Sequence, residues 1–170
     1  MTVTLGASGG SSVPNWTLLQ TATPSGVATV TFSGLSGYAK YRIRSTNLAC
    51  GTNPGVALRV NGDSGSNYSY WALGFSSGTL ASNAAIGTTS ISLHHAQAGV
   101  GSAVAFVAEI DDALVLAPKT VNYSGILSAG VFSVPSVGIY QTTSVVTSLT
   151  IFTTSTQNFT SGSIYLEGAN

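Results

Sequence analysis

Hydrophobic and polar positions alternate along most of this chain with a period of two. In the run Val56–Val60, Val56, Leu58 and Val60 share one parity and Arg59 takes the other, the pattern of a half-buried strand. Val27–Phe32 repeats it, with Ala28, Val30 and Phe32 facing one way and Thr29 and Thr31 the other. From Lys40 to Arg44, Tyr41 and Ile43 alternate with three cations, which predicts a strand with one solvated face. Further β-type runs cover Trp16–Gln20, Tyr68–Leu73, Thr88–Leu93 and Thr120–Leu127, then Val137–Thr142, Val145–Thr153 and Ser163–Glu167. Ala103–Ile110 is apolar on both parities, which predicts a strand covered on both sides. The small, polar stretch Ser76–Gly87 reads as a long surface loop. Roughly nine to eleven short strands, separated by Gly, Pro, Ser and Asn clusters and with no helical periodicity, predict an all-β fold. The strand number favours a jelly-roll-like antiparallel β-sandwich over residues 16–170, preceded by a flexible Gly/Ser arm over residues 1–15.

The stretch Leu58-Arg59-Val60-Asn61-Gly62-Asp63-Ser64-Gly65-Ser66-Asn67-Tyr68-Ser69-Tyr70-Trp71 stands at the centre of this pattern. Two strands flank a loop of turn formers, in which Asn61-Gly62 and Ser64-Gly65 supply residues tolerant of positive φ. The loop is longer than a tight hairpin allows, so it is expected to project from a sheet end. Tyr68, Tyr70 and Trp71 beside it are candidate interface or sugar-stacking side chains, as is Trp16 at the start of the β region. Tyr68 and Tyr70 share a parity opposite to Trp71, which argues against a platform made of all three.

Composition narrows the function classes. Charged residues make up 6% of the 170 positions, against a hydrophobic fraction of 44% and a net charge of zero; a typical domain carries about 25% charged residues. Ser, Thr, Asn and 20 Gly supply the polarity instead. A surface so poor in ions is weakly protected against association, which points to a chain kept soluble inside an assembly. Five basic residues cannot neutralise many phosphates, so nucleic acid is not an expected partner. No apolar run approaches the roughly 18–20 residues of a membrane-spanning helix. The N-terminal stretch Met1–Gly6 lacks the charged and apolar regions of a secretory signal, and Cys50 stands alone, so synthesis in the cytoplasm without internal disulfides is expected.

Reactive constellations are weak. Asn61, Asp63, Ser64, Ser66 and Asn67 gather oxygens as a calcium loop would, but one carboxylate among them favours a hydrogen-bonded turn. His94 and His95 are adjacent and would point to opposite faces of a strand, so a shared ion would need a ring of subunits. Asp111-Asp112 at a strand end reads as a solvated turn, since acid–base work would need an opposing carboxylate. Gly6-Ala7-Ser8-Gly9-Gly10 fits G-x-S-x-G formally but lacks the flanking strand and helix of a nucleophile elbow. Arg42, Arg44 and Arg59 are expected on outward faces, forming a small basic spot if their strands are neighbours. Cys50 is expected to be an inert buried thiol, with a bond between subunits as the alternative. No catalytic residue, cofactor or metal is therefore expected.

Three stretches carry a resemblance. Trp16-Thr17-Leu18-Leu19-Gln20-Thr21 with Ala28–Leu35, Tyr38 and Tyr41 resembles the opening of a family of tailed-bacteriophage virion proteins. Leu58–Tyr68 is similar to that family's loop, and Asn158–Gly168 to its closing strand, where Glu167 replaces a more usual Tyr. The similarity spans residues 16–168 and rests on turns and strands. It implies a non-enzymatic structural protein of the virion, made in the bacterial cytoplasm. The expected role is that of a capsid decoration or cement protein, attached to the head as a homotrimer through the major capsid protein or other virion proteins. A receptor- or carbohydrate-binding module of a tail or head fibre is the alternative, with Trp16, Asp63, Asn67, Tyr68, Tyr70 and Trp71 as candidate contacts with a partner or a host-surface glycan.

Overall fold

The computed structural model describes residues 14–51, 55–76, 79–93, 103–127, 131–154 and 156–170. The arm up to residue 13 with its G-x-S-x-G match and the pair His94-His95 lie outside them.

Twelve strands follow one another: β1 (Thr17–Ala22), β2 (Thr29–Ser33), β3 (Lys40–Cys50), β4 (Val56–Val60), β5 (Tyr68–Ser76), β6 (Thr79–Thr88), β7 (Ile91–Ser92), β8 (Ala103–Ile110), β9 (Lys119–Leu127), β10 (Val131–Tyr140), β11 (Ser148–Thr153) and β12 (Phe159–Ala169). They form an eight-stranded sheet of order β1-β12-β3-β8-β9-β10-β5-β6 and a four-stranded sheet of order β2-β11-β4-β7. The pairings within both sheets are antiparallel, and the two sheets pack as a β-sandwich around one core. Period-two alternation explains the arrangement. Tyr41 and Ile43 of β3, Phe106, Ala108 and Ile110 of β8, and Leu58 and Val60 of β4 are all buried between the sheets, as are Leu149 and Ile151 of β11.

Two sequence expectations fail here. The stretch expected as a loop over Ser76–Gly87 is mostly strand β6, paired along its length with β5 from Tyr68↔Thr88 to Ser76↔Thr79. Small residues such as Ala84 and Ala85 hide a strand from pattern reading because they give alternation little contrast. Strand β8 is covered on one side: Val104, Phe106 and Ala108 are buried, whereas Ala105 and Val107 are exposed. Apolar residues on both parities therefore marked an apolar surface and not a second covering layer.

The 61–67 loop leaves a sheet end and joins the two sheets. β4 and β5 belong to different sheets, so the loop is a crossover over the end of the sandwich. Asn61 (φ 56°) and Gly62 (φ 66°) both adopt positive φ, and Asp63 N donates to Val60 O at 3.0 Å, closing a tight reversal. The Asn61 side chain then ties this loop to the 141–147 connection. Its Nδ2 donates to Ser144 Oγ (3.1 Å) and Val145 O (2.8 Å), while its Oδ1 accepts from Thr147 N (2.7 Å) and Ser148 N (3.2 Å). One asparagine thus satisfies main-chain groups that would otherwise need water.

Candidate interaction surface

The outer face of the eight-stranded sheet is divided by chemistry. On β12, β3 and β8 it is ionic. Glu167 accepts from Arg42 Nε at 2.6 Å and from Arg44 Nε at 3.1 Å, and Lys40 Nζ lies 2.7 Å from Asp111. The Arg42 guanidinium stacks over the Trp16 ring at 4.3 Å and that of Arg44 over Tyr165 at 4.2 Å. Burial by itself would raise the Glu167 carboxyl, but the hydrogen bonds and charges of Arg42 and Arg44 outweigh it and hold the group below the usual carboxylate range. Arg59 lies on the other sheet, over the Phe152 ring at 4.3 Å. The three arginines therefore form no common basic spot.

Stability tied to Glu167 is present above its unfolded pKa and is lost as pH falls through its lower folded value. Glu167→Gln is expected to lower stability at pH 7 by about 1.5–3 kcal/mol, the scale of a hydrogen bond to a charged group. Urea unfolding of this variant between pH 5 and 3 should show a weaker loss of stability than the parent. Parallel curves would contradict the assignment.

On β9, β10, β5 and β6 the outer face carries no charge. All ten acidic and basic residues of the chain lie elsewhere or inward, and the single one in these strands, Lys119, is buried. Outward positions follow from register. Trp71 of β5 sits opposite Val137 of β10 and Ala84 of β6, and Ser69 opposite Ile139 and Ile86. Directly opposed residues share a face and lie about 5 Å apart. Trp71 is 47% exposed and Ile86 89%. Phe75 and Leu80, also opposed, extend the apolar surface along the same two strands, and Ile126 of β9 and Val107 of β8 extend it sideways. Trp71, Ile86, Val137 and Ile139 border a groove of about 270 Å³. Of the thirteen large hydrophobic side chains exposed among the described residues, these strands and Val107 hold eight. The outer face of the small sheet is different in kind: Thr31 and Thr150 pair there through their hydroxyls at 3.1 Å.

A second apolar surface lies on the β8–β9 connection, where Leu114, Val115 and Leu116 are consecutive and exposed, Leu116 by 73%. This loop is held in shape. Ala113 N donates to Ala39 O and Val146 N to Ala113 O, both at 2.8 Å. The buried Lys119 ammonium donates to Val115 O at 2.5 Å and also to Ala117 O. Burial lowers its pKa, opposed by the charge of Asp112. The lysine is spent on main-chain carbonyls, so it acts as a staple for the loop.

Of the side chains singled out in the sequence, Trp71 is presented outward on the apolar face. Tyr70 turns to the opposite side of β5 and packs against the core. Tyr68 is fully buried and stacks on Tyr140 with ring centroids 4.9 Å apart, so it is no partner contact in the folded chain. Asp63 and Asn67 are half-buried and bond to each other: Asn67 Nδ2 donates to Asp63 Oδ2 at 2.8 Å and Gly65 N to Asp63 Oδ1 at 2.7 Å. Those bonds hold the Asp63 carboxyl below the usual range, led by the one from Gly65. The Asp63 carboxylate oxygens are engaged in a hydrogen-bonded turn, and among the described residues no three His, Cys, Asp or Glu side chains cluster as metal ligands. Trp16 is placed over Arg42, on the ionic half. Cys50 is buried, which pushes its thiol up to about 11 and leaves it protonated at neutral pH.

Pattern reading missed Ile86, Val137, Ile139 and Leu114–Leu116 as surface residues. The available signal was the very low charge at an ordinary hydrophobic fraction, which points to an associating surface but not to its place. Comparison with protein-family models, with curated proteins and with solved structures found no match to this chain.

Proposed function

We propose that this chain is a non-enzymatic structural protein of a tailed-phage particle, attached to the head as a decoration or cement protein. The observation that supports the reading is the placement of its exposed apolar surface. Among the described residues, ten of the thirteen exposed large hydrophobics fall in two patches, seven on the charge-free outer face of β9, β10, β5 and β6 and three on the stapled 114–116 loop. Patches of that extent on a folded chain mark contact surfaces, and a lattice component needs more than one. The resemblance of residues 16–168 to virion proteins agrees with this reading. The loop is the part assigned to the particle: a small knob already ordered by Lys119 loses little conformational entropy on docking. Many such weak contacts on a repeating shell add up through avidity.

Purified protein mixed with undecorated capsids should bind to saturation at a fixed number of copies per particle. Leu116→Lys should weaken that binding at least tenfold, given that burying one leucine is worth about 1.5–3 kcal/mol. Binding without saturation, or equal binding by the variant, counts against the reading. A carbohydrate-binding role is supported by Trp71 and its groove alone, because Tyr68 and Tyr70 face the interior side of β5. Glycan binding lost on Trp71→Ala would favour it over decoration.

A further inference from the structure

We infer that the charge-free outer face of β9, β10, β5 and β6 is covered by the same face of a second copy of this chain, across a two-fold axis. The inference rests on the structural reading above and names the occupant of its larger patch.

Three observations carry it. The first is area. A fully exposed aromatic ring offers roughly 150–250 Å² and an aliphatic side chain less, so at their observed exposures the seven large apolar side chains of these strands leave on the order of 500 Å² open. That is close to the apolar part, about 65% in homodimers, of the roughly 800 Å² that one partner contributes to a standard interface. The second is charge. No ionised side chain projects from these four strands, so the face offers nothing to a charged partner and imposes no ion desolvation on an apolar one. The third is the choice of partner surface within the chain itself. An off-axis contact would need a different apolar surface of similar extent on the neighbouring copy. Among the described residues the remaining exposed large hydrophobics are Leu18, Val27, Val107 and the short 114–116 loop, and the outer face of the small sheet is lined by Thr31 and Thr150. The surface that matches the face in size and chemistry is the face itself, and self-matching is the defining property of a two-fold contact.

Flat sheet faces stack about 10 Å apart with their strands within about 30°. At that spacing the projecting Trp71, Val137 and Ile139 of each copy interdigitate, with the partner's side chains entering the groove between Trp71 and Ile86. The ionic half, with Arg42, Arg44 and Glu167, stays outside the contact and in water. The pairing is two-fold, whereas the resemblance to virion proteins led to a three-fold expectation.

Sedimentation or light scattering of the full chain at tens of micromolar tests this. The unaltered protein is expected at twice the chain mass. Val137→Lys places an ammonium in the middle of the face, on an outward and partly exposed position that the fold tolerates, and should give the single-chain mass with unchanged circular dichroism and melting. Trp71→Arg should do the same. Leu116→Lys, on the loop, should keep the two-chain mass. A single-chain or three-chain mass for the unaltered protein overturns the inference, as does a two-chain mass for both face variants or dissociation by Leu116→Lys. The two readings fail separately: a monomer that still saturates capsids sinks the pairing alone, and a dimer that ignores capsids sinks the decoration role alone.

Discussion

Tyr68→Ala is expected to destabilise the protein by about 3–5 kcal/mol, the range for removing a large buried aromatic ring. For a chain of this length that corresponds to a melting temperature lower by roughly 6–20 °C. Two losses combine. The ring is fully buried and stacked on Tyr140, so its removal leaves a cavity where β5 joins the sandwich end. The hydroxyl holds the crossover from β4 to β5 in place. It accepts from Val60 N at 3.0 Å and lies within donating distance of Asp63 O (3.0 Å) and Val60 O (3.1 Å). Tyr68→Phe keeps the ring and separates the two contributions. It should cost about 1–3 kcal/mol, the penalty for leaving buried polar groups without their partner. Chemical unfolding of both variants gives the comparison. An alanine variant no less stable than the phenylalanine variant would show that the ring packing contributes nothing.

Gly162→Ala is expected to be about as damaging, for a backbone reason. Gly162 adopts φ +99°, and a Cβ added there would meet the main chain of Asn47 and the Leu48 Cα at 2.5 Å. The register shows why the strands come so close. Between Ser161↔Ala49 and Ser163↔Thr46 strand β3 holds one residue more than β12, and Asn47 takes φ 47° to accommodate it. This is a β-bulge, and it bends β3. A main-chain obstacle cannot move aside as a side chain could. A φ in the glycine region costs about 1–3 kcal/mol and overpacking typically another 1–3 kcal/mol. Gly26→Ala provides the control, since Gly26 also has positive φ (+72°) but nothing within 4 Å of the added Cβ. It should cost about 1–2 kcal/mol, the backbone part alone. Equal losses at the two positions would refute the clash.

The candidate surface was only partly legible in the sequence. Trp71 stood out because it is large, aromatic and close to a turn-rich loop. Tyr68 stood out for the same reasons and turned out to be an internal strut. Sequence proximity and residue type are the same for both, and the parity that separates them acquires a direction only once one side of β5 is packed. Ile86 was hidden by the small, polar stretch around it, although it is the most exposed large hydrophobic among the described residues. Lys119, the buried cation that shapes the 114–116 loop, has no sequence signature as a staple because its partners are main-chain carbonyls.

Local properties of the chain were enough to establish strands, turns and their class of fold. Alternation, β-branched residues and glycine or asparagine at reversals are read within a few neighbours, and they led to an all-β antiparallel sandwich. Composition alone also pointed to a surface poor in ions, with 6% of the residues charged, and so to association with neighbours. Tertiary structure decided where apolar side chains meet that surface. Alternation sorts side chains into two sets but does not say which set is inside; that depends on whether a second sheet stacks against it, a contact between residues far apart in the chain. Where one set was polar, as in β3, the sequence was sufficient. Where both were apolar, as in β8, and where neither was, as in most of β6, only the partition into eight and four strands settled which side faces the core and which remains open to a neighbour.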